Sequence, residues 1–367
     1  MRNFIQFIVL LVGFLFLSNG LAADKVVVIP LNSAKKLNNV VTVSAKGGDF
    51  SDPVAAVESI TEANESNPYL LLIGPGVYTL TQPLDMKPFV FIAGSGQDVT
   101  ILTGAISTDL QATSYIVRGA DYTTLSDLTI ENTGGSNYST ALYNNSSSPF
   151  IQNVTATASG GTFNIGVYNN NISPTMLYPT MTNVTVTATG GAKTRGVEND
   201  YCSPTMTNVT VIAKDGTANT GVDNENSSPS MTNVTVIASN IASTTSEGTY
   251  SYGVYSSSSS PTMTNVTIHA TGGKNATGVY NGAGSLTMTN VDVFATGDTS
   301  VYGVQIESST AWIRHSRLYG ETDGILSFGT TRVMQSSILG GATNGGGTLT
   351  CTNSDNGVAT ELNSTCQ

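Results

Sequence analysis

The sequence has little charge and little histidine. Asp, Glu, Lys and Arg make up 11% of its 367 residues, with 14 bases against 25 acids. Residues 1–23 hold one of those bases and no acid, so the remainder carries 25 acids against 13 bases, a net charge of −12. Nucleic acids and anionic lipid surfaces are recognised through clustered Lys and Arg, so neither fits as a partner. His269 and His315 are the only histidines, which leaves little material for histidine chemistry. No Cys/His spacing reads as a metal site. Of three cysteines, Cys351 and Cys366 are close enough in sequence to close a disulfide in an oxidising compartment. Cys202 is left over, as a free thiol or an intermolecular link. Long apolar runs are also missing after the first. That run, Phe4–Leu17, follows Arg2 and precedes "SNGLAAD", the layout of a secretory signal peptide. It is short of the ~20 residues a spanning helix needs. The sequence therefore predicts a signal peptide at 1–23, a lead-in at 24–40, no membrane span after signal removal, and a secreted, periplasmic or cell-surface protein.

What the sequence has is repetition. "YPTMTNVTVTA", "SPTMTNVTVIA", "SPSMTNVTVIA", "SPTMTNVTIHA" and "SLTMTNVDVFA" begin at Tyr178, Ser203, Ser228, Ser260 and Ser285. Their Asn residues, 183, 208, 233, 265 and 290, step by 25 or 32. Asn153 and Asp127 extend the series upstream; His315 and Gln335 extend it downstream. A fixed period of this length is the mark of a repeat architecture. The Thr, Val and Ser content and the alternation of apolar residues favour short strands over helices. Each unit reads as three strands: "PTMT", "VTVTA" and "GVYN", the last also written "GVEN" and "GVDN". Met206 and Val209 are an odd number of residues apart, yet both are apolar and should point inward. A sharp corner at Asn208 resolves this, because Asn tolerates the left-handed conformation such a corner needs. Successive corner Asn side chains are then placed to hydrogen-bond from coil to coil. "NVT" also matches the N-glycosylation pattern; the corner role accounts for the Asn without a glycan. Three strands per coil of about 25 residues is a parallel β-helix, of about ten coils and one domain. It is all-β, spans 41–340, and has a C-terminal cap at 341–367 held by Cys351 and Cys366.

Residues 41–104 differ from the repeats. Asp52 is placed to cap a short helix with Pro53 in its first position and Val54, Val57 and Ile60 as its buried stripe. That helix would plug the N-terminal end of the coils. The residues Gly48-Asp49-Phe50, Ala55-Ala56, Pro75-Gly76-Val77-Tyr78, Gly94-Ser95-Gly96, Thr100-Ile101 and Leu128-Thr129-Ile130-Glu131-Asn132 carry a resemblance. Over residues 41–132 the chain resembles the pectin methylesterases, a branch of the pectate-lyase-like right-handed parallel β-helices. The resemblance implies a single-stranded right-handed parallel β-helix. The family's catalytic motifs do not carry over. Tyr138 stands near its first Gln, Asn164 and Ile165 stand at its Gln-Asp pair, and "KTRGVEN" lacks its nucleophilic Asp. Trp312 lacks the family's surroundings.

The "GVxN" strands place one column of side chains outward at x: Tyr143, Tyr168, Glu198, Asp223, Tyr255, Tyr280 and Gln305. Tyr168, Tyr255, Tyr280 and Gln305 are candidate sugar-binding residues; the same column also reads as ordinary stacking between coils. Glu198 and Asp223 fall one coil apart, as do Asp200 and Glu225. These four acids form either a solvated patch, a Ca²⁺ site, or, through Glu198 and Asp223, a catalytic carboxylate pair. Arg195 or Lys214 could balance the charge in place of Ca²⁺. Two units carry extra residues, "NISPTMLYPTMTN" and "SNIASTTSEGTYSYGVY", candidate binding loops or tolerated insertions. The leading expectation is a secreted, non-catalytic protein that binds polysaccharide or another glycan along its strand face. The alternatives are a pectinesterase- or pectate-lyase-like enzyme with a non-standard acidic site, and a structural surface stalk. No cofactor is required beyond the calcium alternative.

Overall fold

A computed structural model describes residues 39–171, 178–240, 249–358 and 360–367. The segment expected to be a signal peptide, nearly all of the expected lead-in, and parts of both extended units (172–177 and 241–248) lie outside the described residues. The described chain forms 29 strands whose pairings are all parallel, each strand bonded to its counterparts one coil before and one coil after. The coil has three strands, as the repeat predicts. A first sheet contains Thr180–Thr182, Thr205–Thr207 and Ser230–Thr232. A second contains Thr185–Thr189, Thr210–Lys214 and Thr235–Ser239. A third contains Phe163–Asn170, Lys193–Asp200, Ala218–Glu225 and Tyr250–Ser257.

The Asn corners are where the sequence places them. Asn183, Asn208, Asn233, Asn265 and Asn290 have φ between 54° and 55°. Asp127, Asn153, His315 and Gln335 are left-handed as well, and Asn353 adds a further corner that the period did not reveal. The left-handed conformation costs an ordinary L-residue about 1–2 kcal/mol; local hydrogen bonding by Asn offsets part of it. Each Asn amide donates to the Oδ1 of the preceding corner, from Asn153 to Asp127 (3.0 Å) through Asn290 to Asn265 (2.8 Å). Further along the series, the corner side chains of His315 and Gln335 bond to each other at 2.8 Å. Between corners, Met181, Met206, Met231, Met263 and Met288 stack in register and are fully buried, followed by a column of Val and Ile. Fully burying such a side chain is worth about 1.5–3 kcal/mol, and no single coil encloses its own core.

A second ladder runs inside the core and was not read from the sequence. In "GVYN" and its variants the Asn points inward beside Val. Asn144 donates to Asn169, Asn169 to Asn199, and Asn199 to Asn224, each at 2.8 Å, and all are buried. Asn224 then donates to the Ser256 hydroxyl at 3.1 Å. Ser256 is too short to pass the ladder on, and both polar atoms of the Asn281 side chain are buried without a partner.

The N-terminal plug forms as expected. Helix Pro53–Ser59 is capped by Asp52, whose carboxylate accepts from Val54 N (3.0 Å) and Ala55 N (3.4 Å), and Val54, Val57 and Ile60 are buried. The coils extend past the expected bounds of 41 and 340. Strand Asn39–Val43 pairs with Tyr69–Ile73, and Thr348–Thr352 pairs with Thr330–Met334. "TLTCT" keeps the strand alternation with Leu349 and Cys351 turned inward, so segment 341–367 holds the last rungs as well as the cap. Beyond them the tail folds back. Ile338 N donates to Asp355 O, and Cys351 is bonded to Cys366. Cys202 is free and buried.

Candidate functional site

The outward face of the third sheet is shaped by one glycine per coil. A Cβ on Gly196 would lie 2.2 Å from Val211 Cγ1, and one on Gly221 would lie 2.2 Å from Val236 Cγ1. The strand therefore approaches the second sheet too closely for any side chain at these positions. The pairing register skips the glycine in every coil. That skip resets the alternation, so residues three apart across the glycine share a face. Arg195 and Glu198 meet as an ion pair for this reason.

Register places Glu198 against Asp223 and Asp200 against Glu225, as the spacing predicts. The four acids are not a solvated patch. Glu198 is 5% exposed, and only Glu225 is fully at the surface. The half-buried Arg195 guanidinium bonds Glu198 Oε1 through one nitrogen and Asp223 Oδ2, at 2.8 Å, through Nε. Gln111 reaches in from a short 3₁₀ turn 87 residues earlier and donates to Glu198 Oε2 at 3.3 Å. Asp200 accepts from the Tyr168 hydroxyl at 2.9 Å. Lys214 is exposed on the second sheet; Arg195 is the cation that balances the acids.

One guanidinium faces three carboxylates in a water-poor setting, and the carboxylates respond. Burial outweighs the attraction of Arg195 and pushes Glu198 up to about 8. Asp223 and Asp200 are raised as well, again by burial first. Arg195 is held charged by Glu198 and Asp223 against the cost of its own burial. Among the described residues no group of three or more Asp, Glu, His or Cys is arranged to hold a metal ion. Arg195 lies between Glu198 and Asp223, where a calcium ion would have to sit.

The tyrosine column divides at the acids. Tyr168, offered above as an exposed sugar-binding ring, is 7% exposed and packs face to face on Tyr143 at 5.2 Å. Tyr115 continues that buried stack, and its hydroxyl donates to Asp85. Beyond the acids, Tyr255 and Tyr280 are half-buried and stacked at 4.9 Å with nearly parallel planes. Tyr252 meets both edge-on, at 5.3 and 5.9 Å, and also contacts Tyr250. Stacking along the coil axis turns these ring faces toward each other and leaves edges and hydroxyls outward. Gln305 lies next in the column and donates to Glu307 at 2.8 Å. On the other flank, a cavity of about 130 Å³ is lined by Gln111, Tyr138, Phe163, Ile165, Lys193 and Arg195. Sequence reasoning missed Gln111, Tyr250, Tyr252 and this cavity. The recurring glycine of "GVxN" was the available signal that flanking positions share a face.

The fold is that of the right-handed parallel β-helix proteins. The chain is similar to the crystal structure of pectate lyase Pel9A, with a TM-score of 0.52 and 14% identity over 90% of this chain and 83% of that one. It also aligns with pectin methylesterase from carrot (TM-score 0.45, 13% identity, 87% and 89% of the two chains). A third match is the A-module of mannuronan C-5 epimerase AlgE4 from Azotobacter vinelandii (TM-score 0.47, 16%, 83% and 90%). No known family profile and no curated relative matches the sequence. The class is thus defined by architecture alone, the right-handed helix of coils.

Proposed function

We propose that the protein is a secreted, non-catalytic β-helix that holds a polysaccharide along the outward face of its third sheet. The observation that carries this reading is the half-buried group Tyr250, Tyr252, Tyr255 and Tyr280, beside Arg195 and Asp223 and continuous with Gln305. A sugar chain laid along the coils meets a tyrosine edge and hydroxyl about every 4.8 Å. Aromatic bodies with polar tips suit a ligand that is apolar on its ring faces and hydroxylated at its rim. Arg195 is already engaged by Glu198 and Asp223, which favours a neutral glycan over an acidic one at this face. The small cavity and the parallel β-helix architecture are consistent with a polysaccharide partner.

A glycan array, followed by affinity electrophoresis on the strongest hit, tests the proposal. Tyr255→Phe with Tyr280→Phe should keep the ring stack and weaken binding, and Tyr255→Ala with Tyr280→Ala should abolish it. Unchanged affinity in the alanine pair would overturn the platform.

One observation favours a second reading, a pectinesterase- or lyase-like enzyme. Glu198, with its raised pKa, sits beside Asp223, and a carboxyl held protonated near neutral pH is what general acid catalysis requires. Both groups are also tied to Arg195, which is why binding is preferred. Assays on methyl-esterified pectin and polygalacturonate, with and without Ca²⁺, separate the two. Turnover that Asp223→Asn removes would establish the enzyme.

A further inference from the structure

The repeated "PTMTN" carries a face that the glycan reading does not use. In Thr180–Thr182, Thr205–Thr207, Ser230–Thr232, Thr262–Thr264 and Thr287–Thr289 the central Met is buried and the outer two side chains point outward. The five triplets are in register on consecutive coils. The result is a lattice of ten hydroxyls, two across and five along, spaced about 6.6 Å across and 4.8 Å along. None of the ten hydroxyls bonds to another protein group among the described residues. No charged or aromatic side chain interrupts them. The array ends where Phe150 and Gln152 stand on one side and Trp312 and Arg314 on the other.

Strand propensity alone does not produce this regularity. The outward positions of the second sheet, in the same coils, read Thr185/Thr187, Thr210/Ile212, Thr235/Ile237, Thr267/His269 and Asp292/Phe294. The hydroxyl lattice is confined to one face. Within the five rungs the face carries no charged side chain with which to hold a single soluble molecule, and no rings to stack on sugars. A rigid two-dimensional array suits a partner that is itself a two-dimensional lattice, where many weak contacts are made at once. Threonine is restricted at χ1 and presents a hydroxyl beside a methyl, so each residue can donate to an ordered water and fill the space between waters. Hexagonal ice repeats its oxygens on this same scale.

We propose that the first-sheet face binds ice, with the Thr-Met-Thr rungs matching the water lattice of a crystal surface. The proposal is independent of glycan binding on the third sheet. The test is nanolitre osmometry with ice-crystal imaging on the full mature chain. Wild type should hold a gap between melting and freezing and should facet growing crystals. Thr207→Lys and Thr232→Lys point a charge out of the lattice and should each lose both effects, and Thr232→Val, which keeps the shape, should weaken them. Thr210→Lys on the second sheet should retain them. Circular dichroism confirms that each variant is folded. Round, unshaped crystals with wild type would overturn the proposal. So would equal loss in Thr210→Lys, or retention on microcrystalline cellulose or chitin in the absence of any effect on ice.

Discussion

At the scale of single residues, asparagine serves this protein in two unlike ways. At the corners it is exposed and accepts a left-handed backbone; in the third sheet it is buried and passes a hydrogen bond through the core. Ser256 breaks the inner ladder and strands Asn281, whose amide has no partner. A buried polar group left unpaired costs about 1–3 kcal/mol. Ser256→Asn should therefore reconnect Asn224 to Asn281 and raise stability by about 1 kcal/mol or more, read as a higher denaturant midpoint. A lower midpoint would mean that the cavity at Ser256 cannot take the amide. Glu198 carries a second residue-scale prediction. Its carboxyl is pushed from 4.5 up to about 8, so between those values the folded chain holds a proton that the unfolded chain has released. Stability then falls as pH rises through that window, and Asp200 and Asp223 shift in the same direction. Raising pH from about 5 to 8 should cost on the order of 3 kcal/mol, and Glu198→Gln should flatten the profile. A melting temperature that climbs over this range would show instead that Arg195 keeps Glu198 ionised.

At the scale of elements, what was legible was whatever repeats. The parity mismatch between Met206 and Val209 located the corner, and Asp52-Pro53 located the helix, because both signals are local. The buried condition of Glu198 was not legible, since Gln111 folds across to it from 87 residues away, and neither was that of Tyr168, which packs on Tyr143 of the preceding coil. The shared face of Arg195 and Glu198 was hidden by assuming strict alternation through Gly196. The inner Asn ladder was visible as a constant letter in "GVYN", "GVEN" and "GVDN", but alternation alone did not say why a polar residue should recur beside the core. The C-terminal cap is a local element with its own prediction. Cys351 lies in the last rung, and its bond to Cys366 closes a loop of 15 residues, a constraint worth about 3 kcal/mol in the chain-entropy account. Cys351→Ser with Cys366→Ser should speed hydrogen exchange in Thr348–Thr352 and Thr330–Met334 first, leaving the Thr205–Thr207 region protected. Uniform loss of protection along the coils would mean that the cap governs the whole fold.

At the scale of the molecule, each coil's strands pair with those of the coils before and after it, and Gln111 to Glu198 is a longer reach across coils, so stability should approximate a sum of coil and interface contributions. The 25-residue step from Ser203 to Ser228 makes this testable without disturbing any corner. Deleting residues 203–227 joins Cys202 to Ser228 and brings Asn183 beneath Asn233, Met181 beneath Met231 and Val197 beneath Val254, pairs that match those already present. The shortened chain should fold with an unchanged parallel-β circular dichroism spectrum and lose about 4.8 Å of length in small-angle scattering. Deleting residues 203–214 instead removes half a coil, opposes second-sheet to first-sheet strands, and should leave the protein unfolded or aggregated. The full-coil deletion also takes out Asp223 and Glu225 while sparing Arg195 and Glu198. A glycan affinity that survives it would place binding on the tyrosines, and a loss of affinity in a well-folded deletion would place it on the acids. Failure of the full-coil deletion to fold would show that the coils are coupled beyond nearest neighbours, through the corner ladder from Asp127 to Asn290 and the inner ladder from Asn144 to Asn224.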